Sequence, residues 1–257
     1  MPLPLKFFIT KLYSIFFAFL IAIFPARLLG FLVQRSKIIK RNKYGVYYNV
    51  SSGYSWDRFN RAYTAEPLFF TFMNSMKTQS IFWDIGACLG TFSTFAIKNK
   101  IVTIAFEANP YNIKDLHENM LLNIPKNWRA PLSSVIPICL SSENKMISLV
   151  RRSQIIGNAI EIRDSKKNEF NILVPSISLN FPKLKKLPQP SHIKIDVDGN
   201  ELSVLESLKY VLRGKNMKYL YIEISHSFEE INKFIERTGY KLDSFHGENF
   251  IYKRIKS

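Results

Sequence analysis

The chain is predicted to be an α/β protein with a doubly wound, mostly parallel sheet that ends in a C-terminal antiparallel hairpin and is preceded by an N-terminal hydrophobic helix. Three observations carry this. From Ile81 onward, short apolar runs alternate with stretches of helical spacing, the order that builds a parallel sheet with helices on its faces. Phe82-Trp83-Asp84-Ile85-Gly86-Ala87-Cys88-Leu89-Gly90 reads as a buried strand that ends on an acid, turns through two glycines and opens a helix. The last two apolar runs, Tyr240 to Phe245 and Phe250 to Ile255, are joined only by His246-Gly247-Glu248-Asn249, so one strand runs against the rest.

Three regions are expected: residues 1–34 as a membrane anchor or interfacial helix, 35–79 as a basic and aromatic linker with helices, and 80–257 as the main domain. Leu12 to Ala26 carries no charge and would span about 22 Å as a helix, short of the roughly 30 Å hydrocarbon core. A crossing then needs the flanks, with Lys6, Lys11 and Arg27 snorkelling. A monotopic helix in the interface and a buried helical hairpin are the other readings, and Phe24-Pro25-Ala26 makes a poor signal-peptide cleavage site. Net charge is +16. Lys6, Lys11, Arg27, Arg35, Lys37, Lys40, Arg41 and Lys43 all precede Asp57, the first acid. Placement around an apolar segment suits a membrane surface better than nucleic acid. More of these bases follow the apolar core than precede it, which puts the main domain at the cytoplasmic face. Apolar residues at 47% provide for an ample core, and two cysteines, Cys88 and Cys139, make no disulfide framework.

Along the rest, Arg35 to Gly53 suggests a small strand or hairpin, and Trp56 to Thr78 is helical with a break at Glu66-Pro67. Asn109-Pro110 reads as an N-cap with proline at the first helical position, followed by the face Ile113, Leu116, Met120. Val135 to Cys139 is a short strand. Met146 to Val150 and Asn171 to Val174 form an inserted pair whose tip carries Arg151, Arg152 and Arg163 to Lys167. His192 to Val197 is the next strand, with Asn200 capping a helix through Leu202, Leu205, Leu208 and Leu212. Tyr219 to Ile224 follows. Ser227 and Glu230 are read as a capping box for a helix over Ile231 to Thr238, ended by Gly239.

The glycine loop defines a cofactor. Gly86 and Gly90 let the backbone pass close to a ligand, and Glu107, after the next apolar run, is placed to accept two ribose hydroxyls. A dinucleotide loop needs G-x-G-x-x-G; this chain has D-x-G-x-x-x-G, and an acid at the strand end repels a pyrophosphate. It suits a ligand with an ammonium and a sulfonium, which is S-adenosylmethionine. Cofactor contacts are expected from Asp84, Gly86, Ala87, Gly90, Glu107 and Asn109.

The set WDIGACLGTFS, AFEANP, IKIDVDGNELSVLESL and YIEISH resembles the FkbM family of S-adenosylmethionine-dependent methyltransferases over roughly Ser80 to Tyr252. Asp196-Val197-Asp198-Gly199-Asn200-Glu201 followed by Val204-Leu205 is similar to that family's most specific signature. The resemblance implies a class I methyltransferase fold, adenine near Cys139-Leu140-Ser141, a cofactor- or substrate-facing acid at Glu66, and a glycan, glycolipid or polyketide-like hydroxyl as acceptor. The chain departs from the family at Leu179-Asn180, where an acid is usual.

Methyl transfer to a poor nucleophile such as a hydroxyl benefits from a positioned base. Asp196 and His226 are the candidates, with Lys194 on the same strand face as Asp196 and Glu223 at a neighbouring strand end. A lysine beside a carboxylate favours its charged form. Asp196, Asp198, Glu223 and His226 also have the oxygen-rich composition that holds magnesium or manganese, although no metal is assigned. An RNA methyltransferase, a non-catalytic membrane scaffold and a dehydrogenase are the rival readings. The lack of an aromatic-rich RNA module, the intact acids and the missing third glycine count against them in turn.

Overall fold

A computed structural model describes residues 38–257 except 51–52, 62, 65, 79, 130–132, 152–159, 163–170 and 256–257. The N-terminal apolar segment and the basic-tip residues Arg152 and Arg163 to Lys167 lie outside the described residues. Among the described residues no helix is long and apolar enough to cross a membrane.

Lys40–Ser257 form one compact unit, so the stretch expected as a linker up to residue 79 is part of the same body as the sheet. It supplies β1 (Ile39–Arg41), β2 (Tyr47–Asn49), α1 (Gly53–Arg61) and α2 (Phe69–Asn74). The break between the helices falls at Glu66-Pro67, where proline opens a new turn. The central sheet contains β3 (Ile81–Ile85), β4 (Val102–Phe106), β5 (Ser134–Ile136), β10 (His192–Ile195), β11 (Tyr219–Glu223), β12 (Tyr240–His246) and β13 (Asn249–Arg254). Their spatial order is β12-β13-β11-β10-β3-β4-β5. Contacts from β11 to β5 are all parallel, and β13 is the expected reversed strand, antiparallel to both β11 and β12. The chain leaves β3 toward β4 and β5, then returns to β10 on β3's other side. That reversal of strand order opens a crevice above the carboxyl ends of β3 and β10.

Alternation of side chains divides the sheet. Trp83, Ile85, Ile193, Ile195, Leu220 and Ile222 face one core, which α5 (Glu201–Leu212) and α6 (Phe228–Arg237) cover with Val204, Leu205, Leu208, Leu212, Ile231 and Ile235. Phe82 and Tyr221 face the other, packed against Phe69, Phe72 and Met73 of α2 and Phe92 and Ala96 of α3 (Thr91–Lys98). On that same face, α4 (Pro110–Leu122) buries Leu116 and Met120 against Ala105. Asp84, His192 and Lys194 alternate onto the α2–α3 face with Phe82, which is how charge comes to lie under an aromatic roof.

Several local expectations change. Pro137 cannot donate to a ladder, so the strand expected over Val135 to Cys139 is cut in two. Its first part is β5; its second, β6 (Cys139–Leu140), joins a separate sheet with β7 (Lys145–Arg151), β8 (Ile160–Ile162) and β9 (Asn171–Ile177) in the order β6-β9-β7-β8. The expected inserted pair is β7 with β9, antiparallel. Asn200 occupies the N-cap of α5 without a side-chain cap; Glu201 Oε1 instead accepts from Gly199 N at 2.8 Å. Ser227 has φ 58° and no capping bond, so the capping box does not form and α6 starts at Phe228, three residues earlier than expected. An N-cap side chain works from an extended backbone, not a left-handed one. Asn109 does cap α4, accepting from Tyr111 N at 3.0 Å, with Pro110 at the first position. Gly239 ends α6 with φ +94° and a bond to Glu236 O at 2.9 Å.

The buried face of α4 carries asparagines as well as apolar residues. Asn123 accepts from Tyr47 N at 2.9 Å and donates to Tyr47 O at 2.7 Å, and Asn119 accepts from Asn49 N at 2.8 Å. The side-chain amides thus satisfy the edge of β2 as a neighbouring strand would. Asn119 also donates to Leu89 O at 2.9 Å, tying that edge to the glycine loop.

Candidate active site

The loop from β3 to α3 is held by its own backbone. Gly86 N and Ala87 N both donate to Phe106 O at 3.0 Å, and Asp196 N donates to Ile85 O at 3.0 Å. Gly86 has φ +77°, and a Cβ there would meet Asp196 O at 1.8 Å. Gly90 has φ +87°, and a Cβ would meet Leu116 Cδ1 at 2.7 Å. The two glycines are therefore required by the left-handed turns and by close packing inside the protein, where the sequence suggested only approach to a ligand.

Asp84 is 1% exposed. Its Oδ2 accepts from Ser93 N at 3.1 Å and Ser93 Oγ at 2.6 Å, supplying α3 with the cap that Gly90 cannot. Its Oδ1 is buried without a hydrogen bond and lies 3.8 Å from Lys194 Nζ. The Lys194 ammonium reaches Asp196 Oδ2 at 2.9 Å and sits 5.0 Å from the centre of the Phe92 ring. Burial alone would lower the lysine's pKa; Asp196 and Asp84 more than offset that and hold it above its ordinary value. Asp84 is raised by burial, with Lys194 and Ser93 opposing. Asp84 is thus placed beneath the crevice, supporting Lys194 and α3.

Glu107 stands at the end of β4. Its Oε2 accepts from Cys88 N at 2.7 Å and its Oε1 from Asn109 N at 2.7 Å. Burial pushes its carboxyl up to about 7, against the pull of those two N–H groups and of Lys194. A carboxylate has about four acceptor positions, so two remain for a ribose diol. Asn112 Oδ1, buried and without a partner, lies on the α4 turn above, whose Nδ2 is 3.7 Å from Cys88 Sγ. These acceptors fit the ribose of S-adenosylmethionine. Ala87 and Asn109 are buried in the same loop pair, whereas Leu140 packs into the main core, so the adenine contact expected there would come from its backbone or neighbours.

Across the crevice, pairing places Tyr221, Lys194 and Asp84 side by side on three adjacent strands. Tyr221 Oη lies 2.8 Å from Glu66 Oε2 and 2.9 Å from Asn249 Oδ1. Burial first, then Glu66, raises the phenol above its ordinary value. Glu223 is half-buried two residues on, pushed up to about 7 by burial and by Asp196 and Glu66. A cleft is lined by Arg58, Arg61, Glu66, Cys88, Lys194 and Asp196, among others. The structure therefore brings together Lys194, Asp196 and Glu223. His226 lies exposed on the loop after β11, and among the described residues no group of three or more His, Cys, Asp or Glu is arranged to hold a metal. Asn180, the departure from the family pattern, is exposed and lines a separate cavity with Trp83, Ser207 and Tyr210.

Sequence reasoning missed Tyr221 and the two arginines. Tyr221 and Glu223 alternate onto one face of a strand, a signal the sequence did offer. Arg58 and Arg61 sit three apart on α1 and so share a helix face, but nothing in the sequence says that the face meets a cleft.

A mostly parallel sheet with one reversed strand, a glycine loop after its first central strand and an acid with free acceptor positions at the end of the next are the features of a class I methyltransferase fold whose site fits S-adenosylmethionine. The FkbM methyltransferase domain matches residues 84–242. The chain belongs to the FkbM methyltransferase family. It is 27% identical over 166 residues to the hexuronic acid methyltransferase AglP of Haloferax volcanii, a match covering 63% of this chain and 64% of that protein's length. Among solved structures, methyltransferase FkbM from Methylobacillus flagellatus KT superposes with a TM-score of 0.50 and 15% identity over 77% of this chain and 53% of that one, a likeness of fold.

Proposed function

We propose that this methyltransferase methylates a hydroxyl of a sugar, within a glycan or glycolipid, at the cytoplasmic face of a membrane. One observation carries the chemistry: Asp196 stands at the carboxyl end of β10, in the cleft beside the glycine loop, hydrogen-bonded to a buried lysine at 2.9 Å. S-adenosylmethionine supplies an electrophilic methyl group on a sulfonium. Asp196 takes the proton of the acceptor hydroxyl, which is otherwise a weak nucleophile. Lys194, fixed by Asp84 and Phe92, holds that carboxylate in one orientation. The glycine loop and Glu107 hold the cofactor, and Glu66 and Tyr221 shape the acceptor side.

A sugar acceptor is favoured by the Haloferax volcanii relative, whose own acceptor is a hexuronic acid. The membrane face rests on the uncharged run Leu12 to Ala26 and the bases that surround it. Asp196→Asn tests the chemistry: turnover of a sugar acceptor, followed by mass spectrometry of the product, is expected to fall roughly 10²- to 10⁴-fold in kcat. An unchanged kcat would remove Asp196 from the reaction. Carbonate extraction of cell membranes containing the full chain tests the location: retention in the membrane pellet is expected, and full release would exclude an anchor.

A further inference from the structure

We infer that the acceptor is anionic and that Arg58 and Arg61 bind its oxyanion; this rests on the sugar-acceptor reading and narrows it. Both arginines lie on α1, three residues apart and so on one helix face, and both line the cleft that contains Lys194 and Asp196. The depth of the charges separates their roles. Asp84 and Lys194, 1% and 4% exposed, form the floor and compensate one another. The arginines are exposed at the rim, where they meet whatever enters from solvent after the cofactor.

Charge decides against the cofactor as the sole reason for them. S-adenosylmethionine has a sulfonium, an ammonium and one carboxylate, so it enters the cleft as a net cation. A chain of net charge +16 with two guanidiniums at the mouth repels such a ligand at long range and steers anions toward the same opening. Guanidiniums present planar forks that match a carboxylate or a phosphate bidentately. Two such forks on one helix face, lining the same cleft as Asp196, hold the acceptor's charged group while its hydroxyl lies toward the base. The oxyanion is the carboxylate of an acidic sugar or the phosphate of a sugar phosphate.

Calorimetry on the full-length protein loaded with S-adenosylhomocysteine tests this, with p-nitrophenyl β-glucuronide, glucose 6-phosphate and p-nitrophenyl β-glucoside as probes. At least one anionic probe is expected to bind roughly tenfold or more tighter than the neutral glucoside, and the double variant Arg58→Ala/Arg61→Ala is expected to abolish that preference. The anionic probe that binds names the source of the charge. Affinity for S-adenosylhomocysteine in the double variant is expected to stay within about twofold of the unsubstituted protein, which also reports an intact fold. Equal binding of neutral and anionic probes, a preference that survives the double variant, or a tenfold loss confined to S-adenosylhomocysteine would each overturn the inference. Turnover of the same probes is read separately. Arginine-dependent anion binding without methylation of any probe sinks the sugar-acceptor reading alone; methylation without charge preference sinks the inference alone.

Discussion

The two halves of the crevice are built by different means. On the β3–β4 side, Glu107 is held by backbone N–H groups from Cys88 and Asn109, nineteen and two residues away in sequence. On the β10–β11 side, the polar groups hold one another: Lys194 holds Asp196, and Tyr221 holds Glu66 from 155 residues away. On the proposed assignment, the cofactor side is built around backbone donors and the acceptor side around side chains that hold one another.

Three substitutions or conditions break or sharpen this contrast. The largest effect is expected from Gly86→Ala, because Gly86 is where the halves touch. A methyl group there meets the carbonyl of Asp196 at 1.8 Å, and the backbone that would have to yield belongs to two adjacent strands. Thermal melting should show loss of cooperative unfolding or a shift of several kcal/mol, on the order of the exceptional 4–5 kcal/mol class. Next is Lys194→Met, which leaves Asp84 buried without its counter-charge. Removing one partner of a buried pair costs about 3–5 kcal/mol, measurable by urea unfolding. Adding Asp84→Asn should recover part of that loss; no recovery would show that the two side chains do not compensate one another.

The smallest effect is expected from pH, and it separates the halves. Glu107 and Glu223 both titrate near 7 because burial disfavours their charged forms. A ribose diol donates to the Glu107 carboxylate, so affinity for S-adenosylhomocysteine should fall below pH 7 by up to about tenfold per unit. Glu107→Gln should flatten that profile, while Glu223→Gln should leave it and alter only the acceptor KM. The folded values lie above the ordinary value of 4.5. The stability contributed by the neutral forms is therefore complete below about pH 4.5 and is lost as pH rises to about 7.

The contrast also explains what the sequence revealed. The β3 loop, Glu107 and the alternation of strand and helix were readable because each depends on contiguous residues: a strand, two glycines, an acid at the next strand end. The reversed β13 was readable from one short turn. Failures came where local chemistry was outvoted or overlooked. Pro137 sits inside an apolar run that otherwise reads as a strand, and its missing N–H splits the run between two sheets. Ser227 has a capping residue's chemistry but a left-handed backbone. Asn119 of α4 and Asn123 at its C-cap are buried although polar, because β2 presents backbone groups to them, and no local pattern in the sequence records this. The Glu66–Tyr221 bond joins distant segments, and no local pattern records it.

The most direct test is calorimetric binding of S-adenosylhomocysteine to the full-length protein and to Glu107→Gln and Asp196→Asn. Glu107→Gln should weaken binding roughly 10- to 100-fold through lost charge-assisted hydrogen bonds, while Asp196→Asn should change it less than about twofold and act on kcat alone. The reverse pattern, with Asp196→Asn losing the ligand and Glu107→Gln keeping it, would contradict the assignment of cofactor to the β3–β4 half and acceptor to the β10–β11 half.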